Sequence, residues 1–147
     1  MIDILLFYLK LGFWHVIDLE GLDHFYFITT LVLPFTFKEG RKLVWWITLF
    51  TIGHTISLFG NFYAGIAFSS YWIELLIPLT IGLNAITSMI QKMNFKFFYR
   101  SYFFPFLTLI FGLIHGLGFG SYFNMLVLQD EITFSLISFA LGVELVQ

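Results

Sequence analysis

Apolar residues run along this chain in long blocks, interrupted by short polar turns. A helix needs about 20 mostly apolar residues to cross roughly 30 Å of hydrocarbon, and the pattern predicts five such spans. The first covers residues 21–37, opening at Gly21 and closing near Pro34. The charged turn KEGRK (38–42) leads to a second span, 43–61, and a softer segment, 62–70, leads to a third at about 71–91. Pro78 predicts a kink in that third span, tolerable in lipid where neighbours satisfy the freed carbonyl. After the basic turn KMNFKFFYR (92–100), the fourth span runs from about 102 to 124, with Pro105 in its first turn, where a missing N–H is harmless. A fifth begins at about 132 and is still apolar at Gln147. Residues 2–17 are too few to cross comfortably and hold Lys10 near their middle. They predict a re-entrant or interfacial helix.

Composition narrows the class further. Of 147 residues, 59% are hydrophobic and 11% are charged, against about a quarter charged in a soluble domain. Mean hydropathy is +0.91. The expected architecture is all-α: a polytopic transmembrane helix bundle forming a single domain over residues 1–147, with no internal repeat or linker. Cysteine is absent, which excludes disulfides and thiolate ligands. No basic run or Gly-rich phosphate loop points to nucleic acid or nucleotide. The amino terminus lacks the basic start and small-residue cleavage site of a signal peptide, so it is expected to stay with the mature chain.

Charge sets the expected orientation. If the spans alternate, the turns at 38–42 and 92–100 share a side and hold Lys38, Arg41, Lys42, Lys92, Lys96 and Arg100 against the single acid Glu39. Asp18, Glu20, Asp130 and Glu131 fall on the other side. Positive residues favour the cytoplasmic face, which puts both basic turns in the cytoplasm, as in a bacterial inner membrane. Gly112, Gly116 and Gly120 recur every fourth residue and predict a face for close helix approach, open to another helix, a second copy or a membrane-complex partner.

Against this background the ionisable residues inside the spans stand out. With the ends so assigned, His54 lies roughly 10 Å and His115 roughly 13 Å below the outer ends of their spans. Asp23 and His24 fall at the outer start of the first span, His15 just before it, and Glu74 near the outer start of the third. Glu144 lies roughly 18 Å into the fifth, near the midplane. Each taken alone reads as a helix cap or a hydrogen-bonded core residue. Together, His15, Asp23, His24, His54, Glu74, His115 and Glu144 form a graded column, and ionisable groups in a bilayer cost several kcal/mol unless paired, hydrated or bound to an ion. Imidazole and carboxylate are ligands for borderline divalent metals such as nickel, cobalt and zinc. A column from mouth to midplane suits a path, because transport needs binding weak enough to release. Ser57, Thr55, Asn84 and Gln147 are candidates for orienting the imidazoles, although each is more often a helix–helix contact. A zinc-dependent intramembrane hydrolase, with Glu74 or Asp23 as general base and Ser57 nearby, is the alternative chemistry. A non-transporting subunit of a membrane complex is a third reading.

Five stretches carry a resemblance: GFWHVIDLEGLDHFYFI (12–28), FTIGHTISL (50–58), WIELLIPLTIGLNA (72–85), FGLIHGLGFG (111–120) and FALGVELVQ (139–147). In this order, over nearly the whole chain, they resemble the HupE/UreJ family of membrane proteins. The resemblance implies a member of the hydrogenase- and urease-associated group regarded as nickel or cobalt permeases, a transporter rather than an enzyme, with a metal ion as its substrate. The motif histidines it implies are His15, His24, His54 and His115, with Asp23, Glu74 and Glu144 as acidic members. It also implies at least one further hydrophobic helix after the GVELVQ motif. The His-Pro of the nickel-linked branch reads His15–Val16 here, so the resemblance implies metal handling without naming the ion.

Overall fold

The computed structural model describes residues 2–18, 21–66, 68–92, 103–127 and 132–147. Glu20, Asp130 and Glu131 of the acidic side, and Lys96 and Arg100 of the second basic turn, lie outside the described residues. The side chain of Lys92 lies outside them as well. Among the described residues there are six α-helices: α1 (Ile2–Ile17), α2 (Asp23–Val32), α3 (Gly40–Ala64), α4 (Ser70–Lys92), α5 (Phe103–Leu126) and α6 (Ile132–Val146). A 3₁₀ turn, Phe37–Glu39, feeds α3, with the Thr36 amide and hydroxyl both donating to the Glu39 carboxylate. Gly65, at φ +63°, ends α3 in the left-handed conformation that glycine adopts without penalty.

Three described helices, not five, are long and apolar enough to cross a membrane: Phe37–Ala64, Ser70–Ile90 and Pro105–Leu126. The predicted span 21–37 is a helix of 10 residues, and the predicted fifth is a helix of 15. Ten residues rise only about 15 Å, half of the hydrocarbon thickness. The reason is local. Pro34 has no N–H to carry the helical ladder onward, so α2 ends at Val32 although Leu33 still has helical dihedrals. Before its other end, the Gly21 amide donates to the Asp18 carbonyl.

The amino-terminal helix, which is not among the helices long and apolar enough to cross, packs against the bundle. The Tyr8 hydroxyl donates to the Leu126 carbonyl at 3.0 Å, near the end where α3 and α5 meet their acidic-side termini. From there α1 descends along α6, backbone close to backbone. A Cβ on Gly12 would collide with the Phe139 carbonyl, and one on Gly142 with the Leu9 carbonyl. Farther down, Val16 and Ile17 share a groove with Val146 and with α2. Helix α2 then continues toward the basic end, stacking Phe27 on Phe50 and, just beyond it, Phe35 against Trp46. Thus α1 packs chiefly on α6 and α2 chiefly on α4, and side chains of both reach α3 where one helix gives way to the next.

Helices α3 and α5 make the tightest pair. Added Cβ atoms on Gly112 and Gly116 would meet the carbonyls of Phe50 and His54, and one on Gly53 would meet that of Leu109. The predicted close-approach face is real, and α3 of the same chain occupies it, which removes it as a docking face for a partner. Two apolar cores result. An upper one holds Tyr8, Leu58, Phe123, Leu136 and Phe139; a lower one holds Phe27, Leu31, Trp46, Phe50 and Phe111. Between them lies a polar layer.

Candidate metal centre at the helix break

That layer contains all four histidines. His15 lies in the last turn of α1, His24 is the second residue of α2, and His54 and His115 stand near the middles of α3 and α5. Ring centroids are 4.7 Å apart for His15–His24, 5.7 Å for His15–His54, and 5.8 Å for both His24–His54 and His24–His115. The expected position of Asp23 and His24 at an outer edge is therefore corrected. They stand level with His54 and His115, because α2 begins halfway down the bundle.

Every one of the four Nε2 atoms is buried and has no hydrogen-bond partner. An unpaired polar atom in an apolar interior costs on the order of 1–3 kcal/mol, so four in one layer is an unusual concentration. Ligand atoms of His15, His24 and His54 all lie within 4.8 Å of one another. Two imidazole nitrogens on one ion, with bonds of about 2.0–2.1 Å, stand at most about 4.2 Å apart. A contraction of roughly half an ångström would bring the trio within reach of a common ion.

Two neighbours fix which nitrogen carries the proton. His115 Nδ1 lies 2.7 Å from the Phe111 carbonyl, which can only accept. His24 Nδ1 lies 3.3 Å from Asp23 Oδ1, and the same oxygen accepts the His24 backbone N–H at 2.9 Å. In both rings Nδ1 is thus the donor, and Nε2 keeps its lone pair. A ligand imidazole held from behind by a carboxylate or carbonyl is the usual arrangement at metal sites. Asp23 accordingly serves His24: its side chain is 30% exposed while that of His24 is 2% exposed.

Phenylalanines wall the layer. Phe119 lies 4.0 Å from the His15 ring, Phe139 stacks on His54 at 6.0 Å, and Phe50 contacts His24 at 5.6 Å and His115 at 5.3 Å. These rings exclude water and fix the imidazole planes. They are invisible in a chain with 21 phenylalanines, where nothing in the spacing marks these three.

A cavity of about 490 Å³ reaches the layer from the upper side, lined among others by Asp18, Asp23, Glu74, His15, His24 and His115. Glu74 is thus brought to the approach, as its place near the start of α4 suggested, and Asp18 joins it. His54 is absent from this lining and stands behind. Glu144 does not join the histidines. It sits in the seam between α3 and α6, its Oε1 accepting from the Thr48 hydroxyl at 2.5 Å. The proposed orienting residues are also engaged elsewhere. The Ser57 hydroxyl donates to the His54 carbonyl and that of Thr55 to the Thr51 carbonyl, Asn84 reaches Thr30, and Gln147 meets Thr51.

A family model described as "HupE / UreJ protein" matches residues 1–147, the whole chain. Neither the curated proteins nor the solved structures gave a match.

Proposed function

The chain belongs to the HupE/UreJ family, and from that premise we propose that it is an integral membrane permease for a divalent transition-metal ion of the nickel and cobalt class. The observation that carries this reading is the set of four buried, unpartnered imidazole Nε2 atoms at the helix break. Neutral imidazole prefers borderline divalent ions, and the lack of cysteine makes a soft-metal site less suitable.

Glu74 on the cavity wall draws the cation in, and Asp18 adds to the negative potential there. His15, His24 and His54 bind it, with His115 as the neighbouring station. Lys38, Arg41 and Lys42 at the opposite end make that end cytoplasmic, so the cavity opens to the outside of the cytoplasmic membrane. Both helix ends at the break bear on the ion. The carboxyl end of α1 favours a cation, the amino end of α2 disfavours it, and the Asp23 carboxylate offsets the latter. The phenylalanine wall keeps the ion from recovering a full water shell, so that transfer proceeds from imidazole to imidazole.

Uptake of nickel or cobalt into proteoliposomes tests the proposal. A His54→Ala, His115→Ala double variant should abolish uptake, and uptake equal to that of the unchanged protein would overturn the reading. The same nitrogens, beside a cavity that Glu74 lines, also suit a zinc-activated water. Stoichiometric zinc that survives dialysis would favour that hydrolytic reading, and weak exchangeable binding favours the permease.

A further inference from the structure

Below His54, the seam between α3 and α6 holds a second polar group that the imidazole layer leaves unused. Thr48 and Thr51, three residues apart on α3, face Glu144 and Gln147, three residues apart on α6. The Thr48 hydroxyl lies 2.5 Å from Glu144 Oε1, and the Thr51 hydroxyl lies 3.1 Å from Gln147 Oε1. Spacing of three keeps each pair on one helix face, so the two pairs meet in register.

The hydrogen bonds of this group do not close. Each threonine has one hydroxyl proton but two acceptors within reach. Thr48 also lies 3.0 Å from the Val44 carbonyl, and Thr51 lies 3.4 Å from the Ile47 carbonyl. Glu144 Oε2 and one corner of the Gln147 amide are buried with no partner. An amide takes its orientation from its neighbours. Turned over, Gln147 donates Nε2–H to Thr51, and its orphaned corner becomes an oxygen. Among the described residues no Lys, Arg or His lies within ion-pair distance of Glu144. The group is rich in oxygen acceptors, short of protons, and carries one carboxylate.

We propose that Thr48, Thr51, Glu144 and Gln147 form a separate binding site for a hard monovalent cation of the sodium class. Carboxylate, hydroxyl and amide oxygens suit hard ions and lack the nitrogen that nickel or cobalt prefers. The charge selects the valence. One carboxylate with a monovalent ion is neutral, whereas a divalent ion would leave a net charge in an apolar groove, at a cost of several kcal/mol. The walls of that groove are Ile52, Ile56, Phe59, Ile137, Ala140 and Leu141. The site stands apart from the imidazoles and does not depend on what they bind.

The test is binding of radiolabelled sodium to the purified full chain in nonionic detergent, with choline holding ionic strength constant. Saturable binding is expected, competed by unlabelled sodium and not by magnesium. Glu144→Gln should weaken it by roughly tenfold or more, and Thr51→Val should weaken it in the same direction should the first variant fold poorly. His54→Ala should leave it unchanged, which separates this site from the permease reading. Absence of saturable binding, competition by magnesium as strong as by sodium, or full binding in both Glu144→Gln and Thr51→Val would each overturn the assignment. If the four residues are only a clamp between helices, the variants lower the melting temperature equally in sodium and in choline.

Discussion

The rings of His15 and His24 meet edge to face, their centroids 4.7 Å apart, where α1 ends and α2 begins. In a continuous helix two residues nine positions apart would be separated by about 13 Å along the axis. The contact exists because α1 stops at Ile17 and α2 restarts at Asp23. The interruption brings two imidazoles to the same level as His54 and His115, and it leaves helix ends of opposite polarity beside them.

Removing single imidazoles should have unequal but large effects. His24→Ala and His54→Ala each take away one of the three nitrogens that approach one another most closely. Nickel affinity, measured by equilibrium dialysis in detergent, should fall by more than the ~10–100-fold that loss of a supporting group costs. Affinity within twofold of the unchanged protein in both variants would exclude the trio as the binding centre.

Asp23→Asn separates support from ligation. The amide can still accept from the His24 backbone, but it withdraws the charge that holds Nδ1–H toward Oδ1. Affinity should drop by about 10–100-fold, with the stoichiometry of bound metal preserved. A lower stoichiometry would instead make Asp23 a direct ligand.

Acid should weaken metal binding. An imidazole must be neutral at the ligating nitrogen, so each ion bound displaces any proton held there. Falling pH favours the protonated rings, raises the apparent Kd, and shrinks the stabilisation that metal confers on the folded chain. The check is the metal-induced rise in melting temperature at neutral and at mildly acid pH. A rise that is larger in acid would contradict imidazole ligation.

Glycines on two faces of the bundle should respond oppositely. Gly116→Leu drives a side chain into the backbone of His54 and the Ser57 hydroxyl. It should cost about 1–3 kcal/mol or more and, by displacing His54, should weaken metal binding as well. At Gly82 an added Cβ meets nothing within 4 Å. Gly82→Ala should stabilise α4 by roughly 0.5–1 kcal/mol and leave metal binding unchanged. Thermal unfolding in detergent with parallel metal titration reads both.

Much of this arrangement could be read before any coordinates. The apolar blocks announce a helical membrane protein, because composition alone decides whether a chain can satisfy its backbone in lipid. The spacing of Gly112, Gly116 and Gly120 announces a close helix contact, since four-residue spacing keeps them on one face. The four histidines are conspicuous for the same energetic reason, and Glu74 lines the same cavity as three of them. Hydropathy, however, counts apolar residues without regard to whether the helix through them is continuous. Residues 21–37 therefore read as a span, although Gly21 and Pro34 were the visible signs that the helix there is short. Depth was then inherited from the wrong boundary, which put Asp23 and His24 at an edge.

The sequence by itself determined the apolar surroundings, the helical class and the stock of imidazole and carboxylate groups, because each follows from local chemistry and from periodicity along one helix. Tertiary structure alone decided which of those groups meet. It brought His15 and His24 together across the break, put Phe50, Phe119 and Phe139 around them, and drew Glu144 away to Thr48. Those outcomes depend on how far one helix slides along another, which glycine contacts and side-chain volumes set jointly between segments distant in the chain.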